Sequence, residues 1–267
     1  MQRLMKKTTL KFADEFTIDL SNEMLYDFLY YAWKISKDEH NKPEDIDILE
    51  NEKKTHLRWI FNSKIGIHQT DVYFKKLNKN KTKITIKEKI PDIQSIFTVS
   101  TQKYEGEAFI VGCKINFNAL AHIYYNEFNH SEIQSNIKSQ KKPFYLKKYS
   151  TTLELNTELE ILYNFILKRY QLFNEYNNEY ETLRNHNKRI IRKVNDHLLE
   201  TRSEGVYGKL KTNYYFKKYQ NSTNIEIKLW VPYWYLFSPL KRAEFPSVIR
   251  SLNINLRALD KVIEKYF

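Results

Sequence analysis

The sequence predicts an α+β protein of two tandem, internally duplicated domains, each an antiparallel sheet packed by a long C-terminal helix. Three observations predict it. The first is a repeat. Gly66-Ile67-His68-Gln69-Thr70-Asp71-Val72-Tyr73-Phe74-Lys75-Lys76 returns 142 residues on as Gly208-Lys209-Leu210-Lys211-Thr212-Asn213-Tyr214-Tyr215-Phe216-Lys217-Lys218. The second is that apolar residues alternate with polar ones on both sides of each copy, as strands require. The third is helical spacing of apolar residues at the end of each half.

The repeat extends beyond its core. Lys83-Ile84-Thr85-Ile86-Lys87 faces Asn224-Ile225-Glu226-Ile227-Lys228, and Ile115-Asn116-Phe117-Asn118-Ala119-Leu120 faces Ile254-Asn255-Leu256-Arg257-Ala258-Leu259. Upstream, Thr8-Thr9-Leu10 faces Thr151-Thr152-Leu153, and the copies end alike at Phe128 and Phe267. A fixed internal period governs the reading of the whole fold. The domains are therefore placed at 1–130 and 150–267, joined by a basic linker at 131–149.

In the first copy, Leu10, Phe12, Phe16, Ile18 and Leu20 predict a strand, interrupted near Ala13-Asp14-Glu15. Ser21 caps a helix from Asn22 to about Ser36, with Leu25, Phe28, Leu29 and Ala32 on one face. The acidic stretch 38–52 reads as a loop with a short helical turn. Thr55–Phe61 alternates as a strand. Ile65–Leu77 and Lys81–Ile90 form a hairpin around Asn78-Lys79-Asn80-Lys81. A further strand is expected at Ile93–Ser100, then a helix from Phe109 to Phe128.

The second copy opens with a strand at Thr151–Leu155 and a helix capped by Asn156 or Thr157. Helical periodicity continues to about Thr201, broken at Asn177-Asn178. The piece from Thr182 to Thr201 reads as an amphipathic helix. Its basic face carries Arg184, Lys188, Arg189, Arg192 and Lys193, and its apolar face Ile190, Ile191, Val194, Leu198 and Leu199. Strands follow at 206–219 and 223–231, and a last helix at 246–266.

This element order of a strand, a short helix, a curved antiparallel sheet and a closing helix resembles START-like helix-grip domains over about 120 residues of the first copy. That resemblance implies a ligand held under the closing helix. The basic helix and hairpin at 178–231 are equally similar to a winged helix.

Composition narrows function by exclusion. One cysteine, Cys113, rules out an intrachain disulfide and a cysteine metal cluster. Five glycines leave no phosphate-binding loop or dinucleotide fingerprint. No apolar run reaches the ~20 residues that span a bilayer, so a cytoplasmic setting without membrane contact is expected. The seven histidines show no metal-binding pairing, and no metal or other cofactor is expected. Glu226-Ile227-Lys228 has the spacing of a metal-dependent nuclease strand, but the preceding strand lacks the acidic partner. An exposed ion pair is the better reading. Arg192 and His197 match the Arg-x4-His spacing of helical ribonucleases of the HEPN class, yet strands follow directly where a helical bundle should continue. No catalytic residue is assigned, and the chain reads as a non-enzyme.

The net charge is +12, and residues 51–90 alone hold 11 basic and 3 acidic side chains. On the repeated strand, Tyr73 and Lys75 share one face, Phe74 and Lys76 the other. Tyr beside Lys on a sheet stacks bases and holds phosphates. The sequence therefore predicts a nucleic-acid surface, for DNA or RNA, from Tyr73, Lys75, Lys76, Tyr215, Lys217, Lys218 and the basic helix. Tyr233, Trp234, Tyr235 and Phe237 are a candidate protein contact. The alternatives are a ligand-binding or interaction module of helix-grip form, and a structural component of a phage or secretion assembly.

Overall fold

The structure, a computed structural model, describes residues 9–63, 66–91, 99–125, 145–176, 189–195, 197–205, 208–220, 222–232 and 239–267. The chain divides into two compact units, Met1–Ala121 and His122–Phe267. Each carries the same elements in the same order.

In unit 1, β1 (Thr9–Ile18) leads into α1 (Asn22–Asp38). A short 3₁₀ turn (Pro43–Asp45) then enters β2 (Ile46–Glu50), followed by β3 (His56–Ser63), β4 (Gly66–Asn78), β5 (Lys81–Pro91) and α2 (Val99–Tyr124). The sheet is antiparallel in the order β1-β5-β4-β3-β2. Ser21 caps α1, its Oγ accepting from the Met24 N–H at 3.3 Å. Both helices lie on the inward face of the sheet. Phe74 of β4 meets Tyr26 of α1 at 5.6 Å and Phe117 of α2 at 6.3 Å between ring centroids. With Phe28, Val72, Ile84 and Ile86 these side chains are almost fully buried, each contributing about 1.5–3 kcal/mol of burial.

In unit 2, β6 (Tyr145–Leu155) and α3 (Leu159–Tyr176) are followed by β7 (Arg189–Asn195), β8 (Leu198–Gly205), β9 (Gly208–Lys218), β10 (Thr223–Pro232) and α4 (Pro239–Tyr266). The order β6-β10-β9-β8-β7 repeats that of unit 1 strand for strand. The registers agree as well. Phe74 pairs with Ile84 and Phe216 with Ile225, while Leu57 pairs with Val72 and Leu199 with Tyr214. The two repeated hairpins are equivalent, and the fold is of the α+β class that the sequence predicted.

Several expectations are corrected. Arg189–Asn195 and Leu198–Gly205 form the strands β7 and β8, not a basic helix, while the expected break at Asn177-Asn178 and the expected helix start at 182–188 lie outside the described residues. The β-branched run Ile190-Ile191 suits a strand, and pairing of β8 with β9 settles the choice. The winged-helix likeness goes with that helix. The acidic loop contains β2, and β1 runs unbroken through Ala13–Glu15. Of the strand expected at 93–100, Val99 and Ser100 open α2 and the rest lies outside the described residues. The final helix begins at Pro239 rather than 246. The expected linker lies outside the described residues up to 144, and Tyr145–Tyr149 belong to β6. The Thr8-Thr9-Leu10 match is displaced. Leu153 pairs with Ile225 as Phe16 pairs with Ile84, so Leu153 corresponds to Phe16 and not to Leu10.

Candidate functional site, the inward face of unit 1

Strand alternation sends every second side chain of the sheet under the helices. The registers of unit 1 place Phe12, Glu88, Thr70, Trp59 and Ile48 side by side on that inward face. Glu88 and Thr70 are buried, and Phe12, Trp59 and Ile48 half-buried. Trp33 of α1 closes over this row, 5.7 Å from Trp59 and 6.4 Å from Phe109 of α2. Cys113 of α2 faces it too. Burial pushes the Cys113 thiol far above its ordinary value, and the Glu88 charge adds to the shift.

On one side lies the row Leu10, Ile90, His68, Phe61 and Ile46. His68 sits 6.0 Å from Phe61, and burial lowers its imidazole below the ordinary value, which favours the neutral ring. On the other side lies Asp14, Ile86, Val72 and Leu57. The site is thus a carboxylate and a threonine among aromatic side chains beneath a helix.

Unit 2 occupies the same ground differently. Its corresponding row is Tyr149, Leu229, Thr212 and Thr201. Glu88 has become Leu229, which packs with Val231, Ile249 and Tyr149 in one apolar cluster. Val72 has become Tyr214, whose hydroxyl is hydrogen-bonded to that of Tyr170 and whose ring is 99 % buried.

The residues expected to bind nucleic acid fall on both units, with Tyr73, Lys75 and Lys76 on β4 and Tyr215, Lys217 and Lys218 on β9. Tyr73 does point outward, but its ring is stacked 4.4 Å from His56, with Lys87 Nζ 5.3 Å from the centroid. Tyr215 lies under Lys228 Nζ at 4.5 Å and accepts from Asn213 Nδ2 at 2.9 Å. Lys75, Lys76, Lys217 and Lys218 are exposed near the hairpin ends. Arg189, Arg192 and Lys193 lie on β7, so the helix that was to present them does not form. Arg184 and Lys188 lie outside the described residues, as do Tyr233, Trp234, Tyr235 and Phe237. Glu226 and Lys228 make the ion pair, at 2.5 Å.

The outer face of unit 1 carries a second polar group of residues. Asp71 Oδ1 lies 2.8 Å from His56 Nε2 and accepts from Arg58 Nε at 2.5 Å, while Gln69 Nε2 donates to Oδ2 at 2.6 Å. Burial pushes the Asp71 carboxyl up, but the bonds from Arg58, Gln69 and His56 outweigh it and hold the group below its ordinary value. Every polar contact here is internal to the sheet, which suits a structural role.

No protein-family profile matches the chain, and no curated protein does. Among solved structures it is similar to the di-domain aromatase/cyclase StfQ of the steffimycin pathway, with 6% identity over 96% of this chain and 98% of that one, at a TM-score of 0.27. It is similar to the di-domain aromatase/cyclase BexL of the BE-7585A pathway at 9% identity, covering 95% and 97%, with a TM-score of 0.30. DynU16, a protein of the dynemicin locus, gives 10% identity, 96% and 98% coverage, and a TM-score of 0.29. Neither these structures nor the placement of the basic residues supports a nucleic-acid partner, and that expectation is corrected. No helix among the described residues is long and apolar enough to cross a membrane. The order of a strand, a helix, the rest of an antiparallel sheet and a long C-terminal helix occurs twice in the chain.

Proposed function

We propose that this chain is a small-molecule-binding module, holding its ligand on the inward face of unit 1 beneath α2. The observation that carries the reading is Glu88 standing where the otherwise equivalent unit 2 has Leu229. Placing a carboxylate inside an apolar layer costs several kcal/mol relative to a well-packed leucine. Unit 2 demonstrates that the fold is satisfied by leucine there. A fold that keeps the costlier group has a use for it, and buried polar groups among aromatics under a closing element mark binding sites.

The test is a fluorescence titration of the full chain with the neutral solvatochromic dye Nile red. Saturable, blue-shifted emission with about one dye per chain is expected. Emission that rises without saturating would overturn the reading.

A further inference from the structure

We propose that the outer face of the unit 1 sheet packs against the same face of a second copy of this chain, joining two copies into a dimer. This goes beyond ligand binding, which uses the opposite face of the sheet.

Both helices of unit 1 lie on the inward face, and strand alternation turns the other set of side chains outward. Register fixes two outward rows. One is Lys11, Lys89, Gln69, Ile60 and Asp47, and the next is Ala13, Lys87, Asp71, Arg58 and Leu49. Leu49 is 51 % exposed, and Ile67, on the same face of β4, is 56 % exposed. Aliphatic side chains held this far into water add little to the core of their own unit. Grouped on one face with a polar margin, they mark an interface.

Charge identifies the partner. Lys11 and Lys89 are exposed and directly opposite one another on β1 and β5, an unfavourable pairing of like charges. At the far end of the same row Asp47 is exposed on β2. Among the described residues, none of these three is in an ion pair. Neighbouring charges are engaged within the sheet: Arg58 holds Asp71 at 2.5 Å, Lys83 holds Glu15 at 2.6 Å, and Lys87 Nζ lies 5.3 Å from the centre of the Tyr73 ring. The row is thus positive at one side of the sheet and negative at the other. A two-fold axis running along β4, between two such faces, reverses the order of the strands and keeps the rows aligned. It sets Lys11 of each copy against Asp47 of the other, Leu49 against the small Ala13, and Ile67 against its own counterpart. Both ends of the row are satisfied at once, so the association closes at two copies.

Unit 2 is built otherwise at these positions. Trp230 stands where unit 1 has Lys89. Lys228, at the position of Lys87, is in an ion pair with Glu226 at 2.5 Å. The edge strand β7 has no acidic residue in its sequence. The fold therefore does not require the arrangement that unit 1 keeps.

Sedimentation velocity on the full-length protein tests this. A dimer is expected at low salt at about 100 μM or below, weakening as salt rises toward about 0.5 M, where exposed charges are screened. Lys11→Glu and Asp47→Lys should each weaken dimerisation at least about tenfold, because two contacts per dimer turn from attraction to repulsion. An equimolar mixture of the two variants should form dimers again, and so should a chain carrying both substitutions. Either restores opposite charges at both contacts. Ile67→Glu, which places two carboxylates at the axis, should leave monomer. Circular dichroism checks that each variant is folded. Wild-type protein that stays monomeric throughout this range would overturn the proposal. So would a dimer that survives both single charge variants, or folded variants that fail to pair on mixing.

Discussion

Thr157 and Asp260 are joined by two hydrogen bonds to one oxygen: the Thr157 N–H and its hydroxyl both donate to Asp260 Oδ1, at 2.9 and 2.7 Å. Both residues are buried, and the pair ties the turn before α3 to α4. The corresponding residues in unit 1 are Leu20 and Ala121, both buried and apolar. The two units close the same gap with opposite chemistry. Asp260→Ala strands two donors and should cost about 2–4 kcal/mol, given ~1.5–3 for a bond to a charged group. Asp260→Ala with Thr157→Leu, which copies unit 1, should recover at least half of that. Urea unfolding of the single and double variants measures the coupling.

Gly66, which opens both the repeat and β4, is needed for its backbone. Its φ is 147°, and a Cβ there would lie 2.8 Å from Pro91 Cγ. Gly66→Ala should destabilise by about 1–3 kcal/mol. Gly112, inside α2, has nothing within 4 Å of an added Cβ. Gly112→Ala should stabilise by about 0.5–1 kcal/mol through helix propensity. Opposite shifts in the denaturant midpoint are the expected result.

His68 makes stability depend on pH on the acid side of neutrality. Burial sets its folded value below the 6.5 of a free histidine. Below that pH the unfolded chain binds the proton more readily than the folded one, so stability falls as pH falls toward the folded value. Above 6.5 the group contributes no slope. His68→Leu, the residue found as Leu210 in the second copy, should flatten stability against pH between about 5 and 7. Thermal melts across that range compare the two proteins.

Asp71 behaves in the opposite sense from a carboxylate's side. Its folded value lies below the ordinary 3.8. The stability it confers is fully present above that value and is lost as pH falls through the folded one. Asp71→Asn, matching Asn213, should cost about 1–3 kcal/mol at pH 7. The gap between variant and wild type should narrow in acid, below pH 3.8. Equal losses at pH 7 and pH 3 would show that the network with Arg58, His56 and Gln69 is held by shape and not by charge.

Much of the fold was legible because strand alternation is local. Ile84, Ile86 and Ile90 with Phe74 named the buried face of the hairpin in unit 1, and Ile225, Ile227 and Phe216 did so in unit 2. The site was less legible. Glu88 is one acidic residue in a lysine-rich strand, and nothing in its neighbours marks it. The signal was present one residue beyond the repeat, where Lys87 and Lys228 align and Glu88 falls against Leu229. Reading the lysines as the function drew attention to the outer face, where Tyr73 and Tyr215 are already held by His56 and Lys228.

By itself the sequence determined the duplication, the α+β class and which side of each repeated strand is buried, because side-chain period and repeat offset are properties of the chain alone. Tertiary structure decided the rest. Ile190, Ile191, Val194, Leu198 and Leu199 satisfy a helical stripe as well as a sheet, and only pairing of β8 with β9 selects strands. Register across four strands sets Phe12, Glu88, Thr70 and Trp59 in one row, although they are scattered over 77 positions of sequence. The worth of a carboxylate depends on the dielectric around it, and that is fixed by the helices laid over the row, not by the residues beside it in the chain.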